Sequence, residues 1–257
     1  MPDGDRPSLA PRTALTETAL VLGVSLGASA VWAALSLTTA LLEPGGLAEQ
    51  TATLNSSAVP GGGWLDATYQ LAGIAIALVP VALALHLLAR QHRHPARMIG
   101  LDATEPGRDL LRGAGLAALI GLPGLGLYLL GRALGVTTTV VAADLQGGWW
   151  VVPVLLLAAV QNALLEEVVM VGYLFTRWAE AGWSSVQIVV VSALIRGSYH
   201  LYQGFGAFLG NVAMGLLLGV VYLRTRRVGP LVVAHALIDA VAFVGYALLA
   251  DHLGWLG

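Results

Sequence analysis

Long apolar runs alternate with short polar interruptions along this chain, and the runs hold almost no charge. The runs cover residues 14–42, 65–89, 109–131, 149–176, 184–202, 206–223 and 230–250. A helix that spans a bilayer needs about 20 mostly apolar residues. The runs are too long for barrel strands and do not alternate polar with apolar positions. Inside lipid each backbone donor and acceptor must be satisfied within the protein, which helices do on their own. The pattern therefore predicts an all-α polytopic bundle of seven transmembrane helices, or eight if residues 132–148 add a crossing.

The punctuation refines this picture. Residues 1–13 are polar and read as a short tail, with 14–257 as a single transmembrane domain. Ala28-Ser29-Ala30 resembles the small-residue cleavage site of a signal peptide, but apolar sequence continues to Leu42, so the first helix reads as retained. Pro80 falls inside the second run, where it predicts a kink. Gly229-Pro230 opens the last run, and proline is well tolerated in the first turn of a helix. The stretches 43–64 and 137–148 read as loops.

Composition agrees with the pattern. The chain is 57% hydrophobic and 11% charged, with a mean hydropathy of +0.77, whereas soluble domains carry about 25% charged residues. An integral membrane protein is expected, with the lipid bilayer as its surroundings. There is no cysteine, which excludes disulfides, thiolate metal sites and a cysteine nucleophile. The net charge of −2 gives no case for a nucleic-acid partner. All basic side chains other than histidine are arginines. Arg6 and Arg12, the group from Arg90 to Arg112, Arg177, and Arg224, Arg226 and Arg227 fall on one side if seven helices alternate. Arg132 is alone on the other. The positive-inside rule then places the N-terminus in the cytoplasm, and a bacterial plasma membrane is the expected location.

Charge inside the runs points to chemistry. Glu166 and Glu167 sit deep in the fourth run, where a carboxylate costs about 2.5–3.5 kcal/mol on insertion scales. Successive helical residues point about 100° apart, so the two glutamates are not expected to share a partner. One is expected to face a cavity and the other to make an ion pair. Asn162 lies one turn before Glu166. Arg196 and His200 share a face of the fifth run, as do His235 and Asp239 in the seventh. A carboxylate in a low-dielectric site can act as general base or acid near neutral pH. A histidine can share a water with it, and a second histidine with a carboxyl can donate to a developing oxyanion. That is equipment for hydrolysing an amide with an activated water. The same residue types are also zinc ligands, with Glu166, His200 and His235 as the set.

At these residues the sequence resembles the CPBP family of intramembrane proteases, which includes the CAAX-protein proteases and bacterial relatives linked to bacteriocin processing or self-immunity. The first family motif is a glutamate pair followed by an arginine; here it reads Glu166-Glu167-Val168-Val169-Met170-Val171-Gly172. The second ends in a histidine, here Arg196-Gly197-Ser198-Tyr199-His200. The third is HxxxN or HxxxD, here His235 to Asp239. Order and spacing match over about residues 100–245. The resemblance implies an intramembrane endopeptidase acting on a membrane-associated protein or peptide. Glu166 would activate water with His200 as its partner, His235 and Asp239 would form the oxyanion pocket, and Glu167 would support. A mechanism without a metal is the one favoured, with zinc as the alternative.

Two departures stand out. Val171 occupies the position of the family's arginine, and Arg196 stands where many relatives have an aromatic residue. Arg196 is therefore expected to replace the missing cation by pairing with Glu167 across helices. Two other readings compete with the protease: a proton- or cation-coupled transporter, and a non-catalytic scaffold or immunity relative. Among the remaining polar and special residues, Asn211 reads as a contact between helices and Gly210, Gly215 and Gly219 as sites of close packing. His86, His92, His94 and His252 read as solvated, and Trp149, Trp150, Trp183 and Trp255 as an interfacial belt.

Overall fold

A computed structural model describes residues 9–252 of the chain; Trp255 and residues 1–8 lie outside them. The helices are α1 (Pro11–Gly23), α2 (Leu26–Leu42), α3 (Trp64–Ala77), α4 (Val79–Ala89), α5 (Pro95–Met98), α6 (Pro106–Ala133), α7 (Val151–Glu166), α8 (Leu174–Glu180), α9 (Ser185–Ser198), α10 (Phe205–Thr225) and α11 (Gly229–Leu249). A π-helical segment, Glu167–Tyr173, joins α7 to α8 without a break. The fold is an all-α polytopic bundle.

Five helices among the described residues are long and apolar enough to cross a membrane: 64–89, α6, 151–180, α10 and α11. The first run is not one straight helix. It breaks at Val24 and Ser25 into α1 and α2, which bend by 53° and make a sixth span if taken together. In the second run the break falls at Leu78, just before Pro80, as the missing proline N–H requires. The run 184–202, expected as a full span, yields only the 14-residue α9. Ser184 caps its start by a reciprocal bond with Gln187. Its end gives way to a tight turn, Leu201–Gln203, and then Gly204 at φ +98°, a conformation that favours glycine.

The central element is the long helix 151–180. About two thirds of its span is buried, against 6% for α6, which faces outward. The π segment at its middle is buried at every residue. Widening the helix by one residue disturbs the regular bonding of its carbonyls. Here Ser192 from α9 donates to the Met170 carbonyl (2.9 Å), and Thr176 donates to the Gly172 carbonyl (2.7 Å). Gly172 lets Ile99 approach, since a Cβ there would strike the isoleucine side chain. Gly215 and Gly219 bring α10 onto α9 and α8 in the same way, where a Cβ would meet Ala193, Val189 or Phe175.

The loops 43–64 and 137–148 hold structure that the sequence reading left out. β1 (Thr51–Thr53) pairs in parallel with β2 (Thr139–Val141), with Thr51 opposite Thr139. Thr137 pairs antiparallel with Gly204, so the turn after α9 is tied to β2.

Polar clusters fix the other ends of the helices. Arg177, expected in a loop, is fully buried in α8; it bonds to Glu180 (2.8 Å) and the Leu87 carbonyl (2.7 Å) and pairs with Glu17 of α1 (3.5 Å). Arg227 grips Asp109 with two bonds (2.9 and 2.7 Å) and Asp102 with a third (3.0 Å). Bonds from Asp109 and then Asp102 raise the Arg227 pKa, and bonds from Thr104 and from Arg227 lower that of Asp102 to about 2. The Val228 and Gly229 amides donate to the Ile99 and Gly100 carbonyls, which sets the height at which α11 begins.

Several smaller readings need correction. His92 is not simply solvated, because it lies 3.2 Å from Glu180. Trp150 is buried, whereas Trp149 beside it is exposed. Trp183 stacks on Trp178. Asn211 donates to Ala207 of its own helix (3.0 Å) instead of bridging helices.

Candidate active site

Glu166 closes α7 and Glu167 opens the π segment. Both are buried, Glu167 completely. Arg196 enters from the last turn of α9 and is itself buried. Its Nη2 donates to Glu167 Oε1 at 2.7 Å, the ion pair expected from the departure at Val171. Its Nη1 lies 3.3 Å from Glu166 Oε2. The two glutamates therefore do share a partner, contrary to the expectation from a 100° step. The reason is the planar guanidinium, whose two Nη groups form a fork wide enough to reach neighbouring carboxylates.

The oxygens of Glu166 have different surroundings. Oε2 accepts from the Tyr199 hydroxyl at 2.6 Å and faces Arg196. Oε1 faces His200 Nε2 at 3.9 Å, too far for a direct hydrogen bond. Neither ring nitrogen of His200 has a hydrogen-bond partner among the described residues. Its ring leans on Tyr199 at 4.8 Å between centroids.

His235 lies in the second turn of α11. Its Nδ1 is 2.9 Å from Glu167 Oε1, so the ring bridges Glu167 to Asp239, whose Oδ1 is 3.7 Å from Nε2. Asn162 does not attend Glu166, whose face it was expected to share; its amide donates to Asp239 Oδ2 at 3.1 Å. All six residues singled out in the sequence, Glu166, Glu167, Arg196, His200, His235 and Asp239, thus lie in one contiguous polar cluster drawn from three helices and one turn. Straight, equal helices would have held them at different depths. They meet because α9 stops short, leaving His200 in the turn beyond it, and because the Ile99–Gly100 strap fixes the start of α11.

Tyr199 is the residue that sequence reasoning missed. It was in view as the neighbour of His200, but nothing in its spacing relates it to a glutamate 33 positions earlier. Its position just past the last residue of α9 is what turns the hydroxyl toward Glu166.

Among the described residues no three of His, Cys, Asp and Glu gather as a metal-ligand set. Arg196 lies against both carboxylates, so a divalent cation there would be set beside a fixed positive charge.

No curated protein and no solved structure matches the chain. A family match does exist, and it supports an intramembrane endopeptidase in general terms, a membrane-embedded protein acting on peptide substrates. Residues 148–241, which carry all of these groups, match the model of the Rce1-like family, type II CAAX prenyl endopeptidase Rce1-like, a CAAX-protease family of the kind the three motifs resemble.

Proposed function

We propose that this endopeptidase uses Glu166 to activate a water for attack on the peptide bond, with His200 as its partner. The observation that carries this is the asymmetry of Glu166. Tyr199 and Arg196 hold Oε2, which aims Oε1 across a 3.9 Å gap at a histidine with no hydrogen-bond partner among the described residues. A gap of that length suits a shared water that bonds to both groups. Glu166 takes one proton from the water as oxygen attacks the carbonyl carbon. It returns that proton to the amide nitrogen as the C–N bond breaks.

The oxyanion falls to the α11 side of the cluster. Glu167 as a carboxylate accepts from His235 Nδ1, and with the ring protonated as imidazolium Nε2 is the atom left to donate. Asn162 holds Asp239 beside it. Arg196 offsets the charge of Glu167 and steadies Glu166 without touching substrate. A transporter would need its carboxylates to exchange cations, and here a buried arginine from the same protein already pairs with both.

The test is cleavage of a panel of membrane-anchored peptides by purified protein in nanodiscs, read by mass spectrometry. Wild type is expected to cleave a subset, and Glu166→Gln to lower the rate about 1,000-fold, within the range for loss of a general base. An unchanged rate in a folded Glu166→Gln protein would remove Glu166 from the chemistry.

A further inference from the structure

β2 has two edges. Thr139 N–H and the Val141 carbonyl face β1, bonding to Gln50 and Leu54. Alternation along a strand sends the backbone groups of Thr138 and Val140 the other way. On that side Thr138 N–H pairs with the carbonyl of Gln203, in the turn that carries His200. The next donor, Val140 N–H, meets no strand; it is bonded by the Tyr128 hydroxyl of α6 at 3.2 Å. A strand edge held only by a turn and a hydroxyl, with no strand against it among the described residues, is a template for another extended chain. This one adjoins the active site. Just past β2, Ala142 and Ala143 pack with Leu155 and Ala159 of α7 and Phe243 of α11, and Ala240 packs against the same cluster. Ala159 lies one helical turn from Asn162, and Ala240 is next to Asp239.

We propose that the outer edge of β2, at Val140, is the docking strand for an extended segment of the peptide substrate. The inference rests on the endopeptidase reading above. A substrate carbonyl replaces the Tyr128 hydroxyl on Val140 N–H and continues the pairing that the Gln203 turn begins. Extended pairing presents the substrate backbone rather than its side chains, so this edge recognises an unfolded stretch of peptide and excludes a helix.

The experiment takes the peptide cleaved fastest in the panel and replaces its backbone amides by esters, one position at a time, with wild-type protein. Pairing with Val140 predicts that KM rises about 3- to 10-fold, the loss of one hydrogen bond, at one position, or at two positions two residues apart, and stays flat elsewhere. A flat scan, or a run of consecutive sensitive positions, overturns the docking strand while leaving the endopeptidase standing. In parallel, Val140→Pro deletes the N–H and is expected to raise KM, whereas Tyr128→Phe removes only the competitor and leaves KM unchanged or lower. A tenfold higher KM in Tyr128→Phe also overturns the proposal. A wild-type protein that cleaves no peptide fails the endopeptidase reading itself, and the docking strand with it.

Discussion

Arg196→Leu removes the one guanidinium set between two buried carboxylates. Arg196 is 1% exposed and Glu167 is fully enclosed, so water cannot replace the lost partner. Breaking a buried pair by deleting one member costs about 3–5 kcal/mol, because the other charge is left uncompensated. Deleting both members costs less by the same reasoning. The double variant Arg196→Leu/Glu167→Gln is therefore expected to recover a substantial part of the loss. Glu166→Gln keeps an acceptor for the Tyr199 hydroxyl and leaves the Arg196–Glu167 pair intact, so it is expected to stay within about 1 kcal/mol of wild type. Unfolding in mixed micelles with a rising fraction of sodium dodecyl sulfate, followed by tryptophan fluorescence, reads these differences as shifts in midpoint. Membrane abundance in cells gives a second reading. An Arg196→Leu midpoint equal to wild type would refute the argument, as would a double variant no more stable than the single one.

Three other predictions follow from separate parts of the molecule. Tyr199→Phe loses the hydrogen bond that orients Glu166, so kcat is expected to fall about 10-fold, the loss of a bond to a charged group, with KM within about twofold; a change confined to KM would show that Tyr199 contacts substrate instead. A strong chelator is expected to leave cleavage unchanged, and loss that zinc restores would move Glu166, His200 and His235 into ligand roles. Asp102 is held down to about 2 from an ordinary 3.8, by Thr104 and then Arg227. Its contribution is therefore present above about pH 4 and lost as pH falls through 2. Hydrogen-exchange protection of the Val228 and Gly229 amides should fall across that window in wild type and show a weaker dependence in Asp102→Asn.

Much of the fold was legible because its signal is long. Runs of 20 or so apolar residues leave few options for a backbone in lipid, and Pro80 and Pro230 mark a break and a start by the N–H they lack. The site was legible because buried charge is costly in a membrane, so Glu166, Glu167 and Arg196 stand out, and the cross-helix pair of Arg196 with Glu167 followed from the departure at Val171. What was not legible depends on contacts between distant segments or on local geometry. β1 and β2 are three residues each and 88 positions apart in register, too short for any periodicity to declare them. The 14-residue α9 looks full length in composition because its turn, through Tyr199 and Leu201, is still largely apolar. The π segment leaves no mark in hydropathy, and the fork of Arg196 across both glutamates depends on where α9 packs. Asn162 went to Asp239 rather than Glu166 for a similar reason: α11 packs along α7, and spacing within one helix does not report what faces it from another.

In the proposed mechanism water, aimed by Glu166, attacks the peptide carbonyl directly. Single-turnover cleavage with enzyme in excess, run in oxygen-18 water, tests it. Direct attack predicts one oxygen-18 atom in the new C-terminal carboxylate of the product from the first turnover. An unlabelled product carboxylate, with the label found instead in Glu166, would show that the glutamate itself attacks, and would rule out direct attack by water.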